Sequence, residues 1–362
     1  MNVLIINPIL ATPTPEGIQR LKSIKDTMIY GMALGFMRLG HNPTLIAAAD
    51  FIPTEKEEYP FEVIFLPTKY RKPFDPSLLP YMPALKNWLR KNVEKFDLII
   101  SKECFSLASL TACRIAPQKT IVWQEMNLHQ RKLFQLPSKL WHNIVARFFM
   151  RKAKAVTCST SARDFLRRYM PLTADTIIEH GIDGSKFSPL EKKERTLITS
   201  SRLTALKNVG SIIRKFAALH QRPGYEDIKL IICGDGDQRA ELEQLSRDLK
   251  LEDYIDFRGF LPRKELGKLV ASSLAFLVDT LQDLNVISIV ESIVAGTPVV
   301  TNMIPLTASW INEQRLGIAR DDWDATDLAT IIDQADNYAA SCRRLSPSLT
   351  CEAAADALIS LA

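Results

Sequence analysis

Short runs rich in Val, Ile and Leu alternate with longer amphipathic stretches along nearly the whole chain, and this rhythm constrains the fold more than any other feature. Val3–Ile6, Thr44–Ala47, Val63–Leu66, Leu98–Ser101, Thr120–Trp123 and Ala155–Cys158 have the length and composition of buried strands. Helical periodicity lies between them, as at Asp26–Leu39 and Ser106–Ile115, and Gly40-His41 stands where the first of these helices must stop. A second series begins near residue 197. Its strands are Leu197–Ser200, Lys229–Cys233, Ile255–Phe257, Ala275–Val278 and Val299–Thr301, with helices expected from Val209, Gln238, Arg263 and Ile287. Strand, helix and strand in strict alternation is the signature of a parallel α/β sheet.

Two such series in 362 residues predict two domains, since single cores stop growing well before that length. Pro171, Gly181-Ile182-Asp183-Gly184, Pro189 and the charged run Glu191–Arg195 read as the linker. The expected division is therefore 1–175, 176–340 and a C-terminal helix over 341–362. With 46% hydrophobic and 24% charged residues the chain is ordinary for a packed globular protein, not a disordered one. The opening Met1–Pro8 lacks the basic start and long apolar core of a signal peptide, and no apolar stretch reaches the roughly 20 residues needed to span a bilayer. A cytoplasmic protein is expected. The six cysteines form no CxxC pair and have no His in ligand spacing, which fits reduced thiols rather than disulfides or a metal site.

Charge is unevenly spread. Residues 1–175 hold 25 Lys and Arg against 14 Asp and Glu, a net +11, while the remainder holds 21 against 27, a net −6. The basic half lacks the aromatic-basic signatures of nucleic-acid modules, so nucleic acid is not the expected partner. An anionic membrane surface or a phosphate-bearing acceptor is.

The densest chemistry lies between Asp279 and Asn302. A strand ends in the polar loop Asp279-Thr280-Leu281-Gln282-Asp283, and a short apolar helix carrying Glu291 follows, stopped by Gly296 and Pro298. A helix beginning at a strand's carboxyl end points unpaired amides and a positive dipole at that edge, which accepts a diphosphate without a metal. Asp283 and Glu291 frame the unit. A capping Asp and a solvated helix Glu also occur in most α/β proteins, so this segment alone leaves a purely structural role open. Arg202 and Lys207 follow another strand, where a guanidinium fork and an ammonium can meet phosphate oxygens. Cys233-Gly234-Asp235-Gly236 follows a third. Its glycines permit close approach of a ligand to backbone, and its Asp-x-Asp is read as a tight turn rather than a metal site.

In order, "SRL…K", "CGDGD", "FRGFLPRKEL", Asp283 with Glu291 and "AGTPVV" resemble the family 4 glycosyltransferases, which have the GT-B fold and transfer sugars with retention. Asp183 with Phe187-Ser188-Pro189 is similar to the family's domain junction, and "RLGHNPTLI" and "VTCSTSARDFL" carry a looser likeness in the first half. The resemblance implies two Rossmann-like α/β domains facing across a cleft, and a nucleotide sugar as substrate with no further cofactor and no metal. It implies that Arg202 and Lys207 neutralise the leaving diphosphate and that Gly234 lies at the donor. Amides around Leu284, Asn285 and Val286 would assist. Asp283 would orient the donor sugar and Glu291 would hold the nucleotide ribose. Asp283 and Glu125 would be the catalytic residues: Glu125, in the place of a His common in the family, would hold a sugar hydroxyl or receive the acceptor's proton, and Gly17 of the N-terminal loop would lie on the acceptor side.

The departures are specific. Asp283 replaces the family's first glutamate, Leu284-Asn285-Val286 replaces its glycine-rich run, and Asp279-Thr280 replaces its Pro-Ser. Asp283 and Leu284-Asn285-Val286 keep a catalytically impaired partner subunit in view, and the shared two-Rossmann architecture leaves a nucleotide-sugar epimerase as a second alternative. On the acceptor side, Ser138–Lys154 combines Trp141, Phe148 and Phe149 with five basic residues, as an amphipathic helix on anionic lipid would, or as a helix packed on the first domain would. With Lys69-Tyr70-Arg71-Lys72 it points to a glycan or lipid-linked acceptor and to peripheral membrane contact, in surface polysaccharide synthesis.

Overall fold

The apolar runs become the strands of two parallel sheets in a computed structural model that describes residues 1–11, 21–70, 75, 77–130, 135–283 and 286–362. The first sheet contains β1 (Asn2–Ile6), β2 (Asn42–Ala48), β3 (Glu62–Leu66), β4 (Leu98–Lys102), β5 (Thr120–Gln124), β6 (Lys154–Thr157) and β7 (Thr173–Ile177). Its order is β3-β2-β1-β4-β5-β6-β7, parallel throughout. The second contains β8 (Thr196–Ser200), β9 (Lys229–Cys233), β10 (Ile255–Gly259), β11 (Ala275–Leu277), β12 (Val299–Thr301) and β13 (Gly317–Ala319). Its order is β10-β9-β8-β11-β12-β13, again parallel.

Continuous apolar strands require cover on both faces, and they have it. Val3, Leu4, Ile5 and Ile6 are all fully buried, each contributing about 1.5–3 kcal/mol by leaving water. The helix Met28–Arg38 is capped at its start by the Thr27 hydroxyl, which accepts from the Tyr30 N–H at 3.4 Å. At its end the Gly40 N–H donates to Met37 O and the His41 N–H to Phe36 O, both at 3.0 Å. The stop expected at Gly40-His41 is there.

In both sheets the chain winds outward from the middle in two directions, reversing between β1 and β4 in the first and between β8 and β11 in the second. Ligands of open α/β sheets bind outside the carboxyl ends of the strands at this reversal.

Three sequence-based expectations change. The compact units are Met1–Gly181 with Cys351–Ala362, and Ile182–Thr350, so the chain divides after Gly181 rather than after residue 175. Part of the stretch read as linker is β7, whose Thr-Ala-Asp-Thr-Ile run serves as an edge strand beside β6. Nor is 341–362 one helix. The helix Ala335–Leu345 ends at the short 3₁₀ turn Ser346–Leu349, which Pro347 forces, and a separate helix, Cys351–Ile359, returns to the first unit. There it lies against Gly35, where an added Cβ would stand 2.4 Å from the Cys351 carbonyl oxygen. Arg38 and Glu352 pair beside this contact at 2.8 Å.

The segment expected to be amphipathic packs one face on the first unit and leaves an apolar row exposed. Gln135–Leu140 is α-helical, and Trp141–Met150 continues it with the wider π-helical winding. Ser138, His142, Ala146 and Met150 are buried in the unit, while Leu136, Leu140, Ile144 and Phe148 are at least half exposed. Residues four apart drift by about 40° per step in an α-helix. The wider winding keeps each row in line.

Candidate active site

The second unit gathers the predicted donor residues at its reversal point. The loop after β8 and the loop after β11 are stapled together through Thr280. Its hydroxyl donates to Leu206 O at 3.1 Å and accepts from the Asp283 N–H, also at 3.1 Å. The Leu281 N–H donates to the same Leu206 carbonyl at 2.9 Å, and Asn302 Nδ2 donates to Thr280 O at 2.6 Å. This stitching brings the Lys207 ammonium, at the end of the 3₁₀ turn Ala205–Lys207, onto the Asp283 carboxylate. A space of about 20 Å³ remains, lined by Ser201, Lys207, Asp279, Thr280, Val286 and Ser288 among others.

Arg202 is exposed at the strand end and makes no ion pair with any described residue. Glu291 is buried on the helix Ile287–Val294 and is met by the guanidinium of Arg263, which also lies over the Phe187 ring at 5.2 Å. A buried carboxylate needs such a partner. Val286, directly before that helix, is buried. Leu284 and Asn285 lie outside the described residues, as do Gly17, Arg71 and Lys72.

Gly234 is a glycine that the chain's own packing requires. Its φ is +122°, its N–H donates to Gly259 O at 2.7 Å, and an added Cβ would stand 1.8 Å from the Ser201 carbonyl oxygen. The close approach is to the protein's own backbone, and it sets the spacing of the loops after β8 and β9. Asp235 bonds its own turn, accepting from the Gly236 N–H at 2.8 Å. Among the described residues no group of three or more His, Cys, Asp or Glu is placed to hold a metal.

Two residues that differ from the family pattern have structural partners. Asp279 pairs with Lys215 at 2.8 Å, and that ammonium lies 3.8 Å from the centre of the Trp323 ring. Thr280 is the staple. Sequence reasoning marked both as departures without finding these partners, and it missed Arg263, although the motif carrying that residue was in view.

The first unit has its own concavity at the matching reversal, with a volume of about 540 Å³. Residues after β1, β4 and β5 line it, as does His180 after β7. At its floor Lys102 Nζ donates to His180 Nε2 at 2.7 Å and lies 3.4 Å from Glu125 Oε2. Lys102 and His180 both pack on the buried Trp123, with centroid distances of 4.3 and 4.6 Å. Burial pushes the Glu125 carboxyl up, but the Lys102 ammonium, His180 and the Lys102 hydrogen bond outweigh it and leave Glu125 below the usual range. Burial and the adjacent Lys102 charge hold His180 down at about 3, so the imidazole is neutral. Glu125 thus lies where the sequence put it, at the end of β5. Lys102, Glu103 and His180 were missed, because nothing in their spacing ties them together before the sheet does.

The chain matches the model of the glycosyl transferases group 1 over residues 183–347 and that of Glycosyltransferase Family 4 over residues 26–186. The chain belongs to the family 4 glycosyltransferases. Alpha-monoglucosyldiacylglycerol synthase of Streptococcus pneumoniae is 24% identical over 190 residues, which are 48% of this chain and 43% of that protein. The O-antigen chain mannosyltransferase RfbU of Salmonella typhimurium is 22% identical over 207 residues, 55% of this chain and 57% of its own length. The matched stretches therefore span about half the length of these curated relatives. Among solved structures, HepE of Anabaena in complex with UDP superposes with a TM-score of 0.63 at 15% identity, covering 99% of both chains. The two parallel α/β sheets are those of the GT-B glycosyltransferases.

Proposed function

We propose that this protein is a retaining glycosyltransferase that moves a sugar from a nucleotide-sugar donor to a glycan or lipid-linked acceptor, without a metal, in surface polysaccharide synthesis. The observation that carries the reading is the Lys207–Asp283 pair at the reversal point of the second sheet, with Arg202 in the loop directly after β8. A leaving diphosphate there meets a guanidinium and an ammonium, the preorganised charge that dominates such transfers. As the phosphates engage Lys207, Asp283 is released to orient donor sugar hydroxyls. Glu291 receives the ribose hydroxyls once Arg263 yields its place. The UDP named with HepE supports a nucleoside diphosphate as the leaving group. The lipid and polysaccharide acceptors implied by the relatives' names support the acceptor class.

The same reading places the protein at the inner face of an anionic membrane. Leu136, Leu140, Ile144, Phe148 and Phe149 form an exposed apolar row, bordered by Lys139, Arg147 and Arg151, on the helical segment Gln135–Met150. That is the composition of an interfacial helix. No helix of the described residues is long and apolar enough to cross a bilayer.

The test is a donor screen by thermal shift and hydrolysis with UDP-, GDP-, ADP- and dTDP-sugars. One nucleotide class should stabilise the wild type and not Arg202→Ala, and slow sugar release should vanish in Asp283→Ala. Failure of every nucleotide sugar to bind refutes the reading.

A further inference from the structure

Two carboxylates line the cavity of the first unit, and their surroundings differ sharply. Glu125 at the end of β5 has Lys102 at 3.4 Å and His180 at 3.7 Å. Glu103, directly after β4, has no ion pair with any described residue. Its carboxylate accepts backbone N–H groups instead, from Glu125 at 2.8 Å and Met126 at 3.5 Å. The chain bends there with a φ of 64°, a left-handed conformation that favours glycine and that persists at a glutamate only when the surroundings hold it. The bend is anchored by the Glu103 N–H, which donates to Trp123 O at 3.1 Å. The strained elbow therefore sets a second carboxylate beside Glu125.

The rest of the cavity narrows what can enter. Leu10, Ile29, Leu79 and Phe105 are apolar walls, with Leu78 beside them. Lys102, the one cation among the described lining residues, is already committed to His180 and Glu125. Among the described lining residues, a phosphate at the floor would face two carboxylates and no unpaired cation. A neutral hydroxyl on an apolar carrier fits both regions.

We propose that this cavity takes a hydroxyl-bearing amphiphile as acceptor, its apolar body against Leu10, Leu79 and Phe105 and its reacting hydroxyl on Glu103, which receives the proton. The inference rests on the glycosyltransferase reading and names the acceptor class and its proton acceptor. In the transfer the acceptor O–H bond breaks and its proton passes to the Glu103 carboxylate. The acceptor oxygen forms the new bond to the sugar's anomeric carbon on the face from which the donor phosphate oxygen departs, so configuration is retained as that bond breaks. The nucleoside diphosphate leaves with the electron pair. Glu125, held ionised by Lys102, stays a fixed charge. The titratable groups coupled to Glu103 are Lys102 on β4, Glu125 after β5, the adjoining Cys104 thiol and the Cys158 thiol after β6. Burial raises Glu103, Lys102 partly offsets this and Glu125 adds to it, leaving it at about 7, where a base is both available and effective near neutral pH.

The experiment uses the full chain with Glu103→Gln, Glu125→Gln and Leu78→Asp. Infrared titration should show a carboxylate titrating near neutrality in wild type and Glu125→Gln, absent from Glu103→Gln. Octyl β-D-glucoside below its micelle concentration should bind wild type and not Leu78→Asp, while glucose alone binds neither. With a hydrolysable nucleotide sugar, Glu103→Gln should lower kcat by about 10²–10⁴-fold, the usual worth of general base catalysis, with the donor KM unchanged. It should also abolish the rise of kcat with pH, whereas Glu125→Gln keeps that rise. A carboxylate that titrates at the ordinary position, an unchanged pH profile in Glu103→Gln, or equal binding of glucose and octyl glucoside would each overturn the proposal. Absence of any donor binding would instead sink the glycosyltransferase reading, and the titration and glucoside binding would still decide whether the cavity is built for an amphiphile.

Discussion

In the first unit the strand ends around β1 and β4 surround about 540 Å³ of open volume above a floor of charged side chains. In the second, the equivalent ends around β8 and β11 leave about 20 Å³, where the loops are stapled by Thr280 and Lys207 is paired with Asp283. Sheet topology puts a binding place at the same position in both units. The side chains then leave one a hollow and make the other a set of charge pairs. Under the proposed function, a diphosphate in the second unit would compete with carboxylates for cations already paired, while a ligand in the first would enter an open cavity.

The sharpest way to separate the units is to break one and leave the other. Gly234→Ala forces a Cβ to 1.8 Å from a carbonyl oxygen at a φ of +122°. It should cost about 3 kcal/mol or more, with hydrogen exchange rising across β8–β13 while β1–β7 stay protected. Equal loss in both sheets would mean that the units unfold together. Gly35→Ala is the counterpart in the first unit. With 2.4 Å to the Cys351 oxygen it should cost about 2 kcal/mol, and exchange should rise first in Cys351–Ile359.

Acid should also distinguish them. His142 is held down to about 4 and His180 to about 3, both chiefly by burial. The unfolded chain binds their protons more readily, so the stability they contribute is complete above about pH 6.5. It is lost as pH falls through about 4 and then about 3. Glu103 works in the opposite sense: its raised pKa contributes stability at low pH that is lost as pH rises through about 7. Below pH ~4.5, the ordinary glutamate value, Glu103 adds no slope, and Glu125, held below the usual range, loses stability in the same sense as the histidines. Urea midpoints between pH 5 and 3.5 should fall faster for the first unit, and His142→Phe should flatten the fall. A second unit that fails first in acid would contradict this.

Smaller effects probe function. Lys207→Ala removes a partly exposed ion pair and should change stability by less than about 1 kcal/mol, while nucleotide-sugar affinity falls about tenfold or more. A stability loss with affinity unchanged would make the pair structural. Phe148→Ser with Phe149→Ser should leave the melting temperature unchanged, because both side chains are exposed. It should reduce flotation with phosphatidylglycerol vesicles. Unchanged flotation would remove the membrane from the account.

Periodicity and punctuation were enough to place most elements. The β-branched runs became strands, and Gly40-His41 ended a helix by the local bonds that glycine permits. The ordered motifs from Arg202 to Gly296 identified the family. Local pattern determines such features because each depends on a few neighbouring residues. What needed the folded chain were pairings between residues far apart in sequence. Nothing local ties Lys102 to His180, Lys215 to Asp279 or Arg263 to Glu291, and only sheet order brings these partners together. Gly234 looked like ligand-facing backbone until Ser201 was found against it. The final helix, Cys351–Ile359, carries no mark of the unit it joins. That was decided by whether a flat place, Gly35, existed for it to pack on.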